Sequence, residues 1–230
     1  ASDSLLTAFV AKTQIPGLSI SISKKGKLVY SKGYGFADVE KKKPVNPGKT
    51  KFRIGSVSKT LTASGLALLY EAGKVDLDAP IQQYVPSWPD KEVTITLRML
   101  TGHLAGIRHY KGNEFYSSTK YETVTEGLDI FINDPLINQP GTEYSYSSYG
   151  WNLVSVAMEN AATPKDFLSL VQKDVFKALK MKNTEADHAD REIKNRSDFF
   201  LMGDNGPEEA PYVDNSYKWA GGGVVGTTED

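Results

Sequence analysis

From Gly17 to Ser23 the chain reads Gly-Leu-Ser-Ile-Ser-Ile-Ser, an apolar/polar alternation of period two that predicts a half-buried strand. Lys24-Lys-Gly-Lys27 follows as a turn. Leu28-Val-Tyr30 then opens a second strand running through Gly33-Tyr-Gly-Phe36, so the two form a hairpin. Upstream, Leu5, Leu6, Phe9 and Val10 repeat at helical spacing and predict a short helix over 4–14, stopped by Pro16-Gly17. A helical apolar run over 60–72 ends at Gly73, placed as a C-terminal cap. Helical spacing also marks 122–133 and Gly150 to Ala162. An amphipathic stretch over 164–180 carries Phe167, Leu168, Val171, Val175, Phe176 and Leu179 on one side. Val93-Thr-Ile-Thr-Leu97 alternates like a strand but continues into Arg98-Met-Leu100 as a short helix would, and the pattern leaves both open. Tyr84-Val-Pro-Ser-Trp-Pro89 belongs to a proline-rich connection, 102–120 reads as loop, and the sequence after 180 is polar and irregular as far as Pro211.

Composition narrows the class. At 230 residues, with 40% hydrophobic and 24% charged positions, the chain suits an ordinary globular domain with ample core. A net charge of −1 with interspersed signs gives no reason to expect nucleic acid or an anionic membrane as partner. No apolar run approaches the roughly 20 residues of a membrane span. The absence of cysteine removes disulfides, thiolate metal sites and cysteine nucleophiles together. Lys41-Lys-Lys43, beside Pro44 and Pro47, reads as a solvated loop rather than a binding patch.

The candidate chemistry lies in Phe52-Arg-Ile-Gly-Ser-Val-Ser-Lys59, where an irregular segment passes into the 60–72 helix. Ser56 and Lys59 stand three apart, so on a helix the hydroxyl and the amine share a face, and a lysine can then take the serine proton. The spacing alone is weak, because a Ser-x-x-Lys match arises by chance about once in a chain of this length. This chain holds Ser21/Lys24 and Ser117/Lys120 as well. Ser21 sits in the alternating strand, where i and i+3 diverge. Ser117 has no apolar run behind it. Only Ser56 begins a helix that the pattern buries. Two readings stay open on spacing: a nucleophile with its base, or a helix N-cap with Lys59 in solvent.

Other segments add to Ser56-Val-Ser-Lys59: Leu100-Thr-Gly-His-Leu-Ala-Gly-Ile107, Tyr144-Ser-Tyr-Ser-Ser-Tyr-Gly150 and Tyr212-Val-Asp-Asn-Ser-Tyr-Lys-Trp-Ala-Gly-Gly-Gly223. Together they resemble the serine β-lactamase and penicillin-binding-protein superfamily, in its class C-like esterase and peptidase branch, and the last is especially similar to the mitochondrial β-lactamase-like proteins of animals. The resemblance spans roughly 15–230. It implies an α+β fold of β-lactamase/transpeptidase type, an antiparallel sheet flanked by helices plus a mostly helical lobe. Residues 1–50 would give the first strands and N-terminal helix, 51–210 the helical lobe and 211–230 the return towards the sheet.

The resemblance implies a serine hydrolase that acts through an acyl-enzyme on a small-molecule ester, a peptide or a β-lactam, without cofactor or metal. Ser56 would be nucleophile, Lys59 base and Tyr146 a second proton shuttle, with Ser148, Gly222 and Gly223 binding substrate. The rival expectation is a non-catalytic penicillin-recognising or scaffold protein of the same fold. Tyr146 also fits a packed aromatic loop with Tyr144, Tyr149 and Trp151, and Ser148 either holds Lys59 or fills space. Ser148 stands where most relatives carry the asparagine of Tyr-x-Asn, which leans towards esterase or peptidase over β-lactamase. His103 and His109, six apart, match no metal-ligand spacing and are expected to be structural; His188 is expected to be exposed. The family's Lys/His-Thr/Ser-Gly motif and C-terminal strands lie beyond Asp230. The expectation is therefore an N-terminal part of a longer polypeptide, the C-terminal fragment being a second chain, with a periplasmic or secreted location if a signal was removed and a cytoplasmic one as the alternative.

Overall fold

The computed structural model describes residues 2–230. Helix α1 (Ser2–Thr13) opens the chain, followed by β1 (Gly17–Lys24) and β2 (Lys27–Asp38). These strands pair antiparallel with Leu18 opposite Tyr34 and Ile20 opposite Lys32. The connecting turn needs left-handed backbone at both central residues, Lys25 (φ 52°) and Gly26 (φ 72°), which matches the twist of a tight hairpin. Asp3 in the first turn of α1 accepts from Lys32 Nζ (2.5 Å) and Tyr34 Oη (2.7 Å), tying the helix to β2. Strand β3 (Lys43–Pro44) pairs with β2, so the order is β1-β2-β3 with β1 at an edge.

A second sheet fixes the site. Its strands are short: β4 (Phe52–Arg53) and, far along the chain, β5 (Glu185–Ala186) and β8 (Val224–Gly226), with β8 between the other two. Phe52 pairs with Gly226 and Arg53 with Val225, and Ile54 N–H donates to Val224 O at 3.1 Å. Ser56 and the glycines before Val224 therefore meet where these two strands end.

Helix α2 (Ser58–Glu71) buries Ser58, Thr62, Gly65, Leu66 and Leu69, a single helical stripe. Its end confirms Gly73 as the cap: with φ 67°, Gly73 N–H donates to Tyr70 O (2.9 Å) and Lys74 N–H to Leu69 O (2.9 Å), a Schellman pair. Both readings of 93–100 are partly right. Ile95 O accepts from Ile81 N–H in extended backbone, and then α3 (Leu97–Thr101) begins, capped by Thr96 Oγ1. Helix α4 (Ser148–Ala162) is buried on all sides over its first eleven residues and forms the centre of the core. Tyr149 stacks on Phe131 there with ring centroids 4.7 Å apart.

Three expectations are corrected. Residues 164–180 do not form one regular helix: α5 (Phe167–Leu170), capped by Asp166, widens into a π-helical turn over Val171–Phe176. The wider turn, closed by Lys177 N–H to Gln172 O at 3.0 Å, rotates the residues beyond it, so Leu179 is 62% exposed while Phe167, Val171, Val175 and Phe176 are buried. Over 122–133 only a 3₁₀ turn forms, Glu126–Ile130; Gly127 lies against the backbone of Tyr217, and Lys91 Nζ holds the carbonyls of Ile132 and Asp134. The segment after 180 contains a hairpin, β6 (Phe200–Gly203) with β7 (Gly206–Glu209), before α6 (Trp219–Gly222).

Because Leu153 of α4 is wholly enclosed, Leu153→Ala is expected to lower the unfolding free energy by about 2–5 kcal/mol. Leu68→Ala, at a half-open position on α2, should change it by no more than about 0.5 kcal/mol. Equilibrium urea unfolding of both variants checks the contrast, and similar losses would contradict this account of the core.

Candidate active site

Ser56 sits in a 3₁₀ turn (Gly55–Val57) between β4 and α2. Gly55 takes φ 51° with open space where a side chain would go, so backbone conformation rather than crowding calls for glycine. Ser56 Oγ accepts from Tyr146 Oη at 2.7 Å and from Lys59 Nζ at 3.3 Å. Lys59 Nζ also donates to Ser148 Oγ (3.2 Å) and Gly221 O (2.6 Å). An ammonium has three donors, and all three are met, each by a neutral oxygen. Burial therefore pushes the Lys59 pKa below the usual lysine value, more than Tyr146 raises it. For Tyr146 burial acts upward, but the Lys59 charge and the bonds with Ser56 and Ser148 outweigh it, and its phenol lies below the usual tyrosine value. Lys59 Nζ stands 4.9 Å from the centroid of the Tyr146 ring.

Ser56, Lys59, Tyr146 and Ser148, named from sequence, are thus brought together. Gly222 lines the same cleft. Gly223 does not. An added Cβ there would meet Trp219 at 2.8 Å, so this glycine permits close packing behind the site; the glycine that meets Lys59 is Gly221. At Gly221 a Cβ would approach Ser148 O to 3.2 Å and Lys59 Nζ to 3.7 Å, and its carbonyl takes the shortest Lys59 bond. The run of three glycines could not show which one touches Lys59.

The two histidines are structural in a specific way. His103 Nδ1 accepts from Ser147 N–H (3.1 Å) and His109 Nδ1 from Ser148 N–H (3.2 Å), at the start of α4. Their rings also hold Tyr146, His103 at 4.4 Å between centroids and His109 edge-on at 5.3 Å. Within Leu100–Ile107, Gly106 (φ 69°) lets Asn138 O come to 2.3 Å from where a Cβ would be, and Ile137 N–H donates to Gly106 O. His188 corrects its expectation of exposure: it is half-buried, its ring 5.0 Å from Trp219.

The cleft beside Ser56 has a volume of about 370 Å³, and Tyr110, Phe115, Tyr116, Phe199 and Phe200 form an aromatic part of its wall. Phe200 comes from β6 and Phe199 immediately precedes it, in the segment read as irregular. A cavity of about 450 Å³ on another side of α2, lined by Ser58, Thr62, Phe176 and His188, contains none of Ser56, Lys59 and Tyr146. Ser56, Tyr146 and Ser148 border the smaller one.

Residues 3–230 match the sequence profile of the family described as "Beta-lactamase". The chain belongs to the beta-lactamase family. The human serine beta-lactamase-like protein LACTB, mitochondrial, is 35% identical over 285 residues, covering 94% of this chain and 52% of its own length. The chain thus spans about half the length of the curated relatives it matches. A D-amino acid amidase from Ochrobactrum anthropi SV3, solved with L-phenylalanine amide, superposes with a TM-score of 0.84 at 27% identity, over 97% of this chain and 65% of that one. The octameric penicillin-binding protein homologue from Pyrococcus abyssi shares the fold, with a TM-score of 0.84, 24% identity and 99% of this chain against 53% of that one. The fold is therefore the α+β beta-lactamase/transpeptidase type, of which this chain contains a part.

Burial holds His103 and His109 below the ordinary histidine value of 6.5, with the Lys59 charge acting in the same direction. The unfolded chain then takes up these protons more readily than the folded one, so acid favours unfolding. Their contribution is complete above about pH 6.5 and is lost as pH falls through the lower folded values. Thermal melts between pH 7 and pH 5 should show a larger drop for the native sequence than for a His103→Asn/His109→Asn variant. Parallel curves would remove the histidines as the cause.

Proposed function

We propose that this chain carries the nucleophile and proton-transfer groups of a serine hydrolase that cleaves an ester or amide through an acyl-enzyme. One observation carries the reading: a single hydroxyl, Ser56 Oγ, lies within hydrogen-bond reach of both an amine and a phenol whose pKa values are lowered. Ser56 Oγ forms a bond to the carbonyl carbon as its proton leaves to Tyr146 Oη or Lys59 Nζ. The backbone N–H of Ser56, just ahead of α2, supplies one donor to the oxyanion. Collapse of the tetrahedral species expels the alcohol or amine, protonated from the same pair, and water then attacks the acyl-enzyme. Because Lys59 has no carboxylate partner, losing its proton strands no buried anion.

Membership of a family with an amidase and esterase-type hydrolases among its structural neighbours supports the reaction class. Ser148 in the asparagine position supports an ester over a substrate recognised through its amide. A hydroxyl already accepting from Lys59 lacks the amide's paired donor and acceptor for a substrate amide.

Labelling with a fluorophosphonate and, separately, a fluorescent penicillin, followed by peptide mapping, tests the proposal. The adduct is expected on Ser56, lost in Ser56→Ala, and slowed roughly 10²–10⁴-fold in Lys59→Ala and Tyr146→Phe. Absence of any adduct on folded, complete protein would transfer the chain to the non-catalytic, penicillin-recognising reading. The labelling rate should rise with pH along a limb lying below the ordinary lysine value of 10.5, because the lowered groups must lose a proton first. A rate independent of pH would count against proton transfer through this pair.

A further inference from the structure

The aromatic cleft contains a second buried lysine that the acylation chemistry does not use. Lys218, three residues before Gly221, is only 5% exposed and lines the cleft wall. Its Nζ donates to one acceptor, Phe115 O at 3.2 Å, and lies over the rings of Phe115 (4.3 Å), Tyr217 (5.0 Å) and Tyr110 (5.6 Å). Among the described residues no carboxylate oxygen comes within 4.0 Å of it. Lys59 offers the contrast within one molecule: both lysines are buried without a carboxylate, but Lys59 has all three donors met and Lys218 only one.

The surroundings leave this charge unbalanced. The other cation lining the cleft, Arg53, is neutralised by Asp187, whose oxygens also take Arg196 and Asn215. Among the described residues no aspartate or glutamate lines the cleft. An ammonium withdrawn from water with two donors unspent is a strong site for a matching anion, because the anion replaces lost hydration and the pair is poorly screened. Ring faces hold a cation but offer nothing to its remaining N–H groups.

We propose that Lys218 is an anion subsite of this cleft, so that the preferred ester or amide carries a carboxylate on an aromatic or extended apolar group. This rests on the hydrolase reading above. Phe115, Tyr116, Phe199 and Phe200 take the apolar body, and Lys218 takes the carboxylate with the donors that the protein leaves free. Burial, with Arg53 adding to it and the Asp187 charge opposing, brings the Lys218 pKa down to about 8, so the free site is charged at neutral pH and loses its charge as pH rises through that value.

The test uses the complete natural polypeptide and two isosteric substrates, the 4-nitrophenyl esters of 4-carboxyphenylacetate and 4-carbamoylphenylacetate. At pH 7 the carboxylate ester is expected to have at least about tenfold higher kcat/KM. That preference should shrink towards unity by pH 9.5, persist in Lys218→Arg and vanish in Lys218→Met. No preference at pH 7, or an equal fall on both esters in Lys218→Met, overturns the subsite and leaves Lys218 as a strut for the Phe115 segment. Should Lys218→Met fail to fold, the pH dependence of the native preference and the Lys218→Arg result decide. Calorimetry of 4-carboxyphenylacetamide against 4-carbamoylphenylacetamide on Ser56→Ala separates the two proposals. Selective carboxylate binding at pH 7 that fades by pH 9.5, without hydrolysis of either ester by the native chain, keeps the subsite and removes the hydrolase. Hydrolysis of both esters with no selective binding does the reverse.

Discussion

An ammonium ion held out of water by three neutral oxygens is the constraint on which the rest of this molecule turns. Those oxygens belong to three separate pieces of chain: Ser56 before α2, Ser148 at the start of α4 and Gly221 in α6. None of the three can move far without leaving a buried donor unpaired, a loss of about 1–3 kcal/mol or more for a charged group. The surrounding architecture serves that requirement. Pairing of β4 with β8 fixes the first and third pieces relative to each other, and the His103 and His109 rings fix the second through successive backbone N–H groups. The lowered pKa values of Lys59 and Tyr146 follow from the same arrangement, since neutral oxygens satisfy the donors without cancelling the charge.

Much of this was legible because it depends on local pattern. The alternation at 18–23 requires a strand, Gly73 needs a left-handed cap, and the apolar run after Ser56 separates one Ser-x-x-Lys from two accidental ones. The hidden part depends on which distant residues meet. Phe200 and Leu201 of β6 pair with Glu209 and Glu208, a polar and proline-bearing partner strand that shows no alternation. The π-helical turn at Val171–Phe176 keeps helical spacing up to Phe176 and breaks it only afterwards, so Leu179 looked like a member of the same stripe. His103 and His109 were recognisable as structural, but nothing in their spacing shows that both point an Nδ1 at the same helix start.

The serine at position 148 belongs to the frame around Lys59. Its backbone N–H is bound by His109 and its hydroxyl by Lys59, so the residue does its structural work with a short side chain. An amide would reach further into the cleft and present a donor and an acceptor together. With serine there, the larger side chains lining the cleft are its aromatic residues and the buried Lys218. Lys218 and Gly221 thus reach the same cleft from one short segment.

The Lys59–Gly221 bond spans 162 residues of sequence. Contacts of such separation form late, because the loop-closure entropy has to be met before they contribute. During synthesis Ser56 and Lys59 leave the ribosome long before Gly221 exists, and a nascent chain therefore holds the serine and the lysine without the carbonyl that takes the shortest Lys59 bond. The Lys59 site is complete only when the body of the chain is already in place, so the burial of its ammonium is a late product of folding rather than a local property of the helix that bears it.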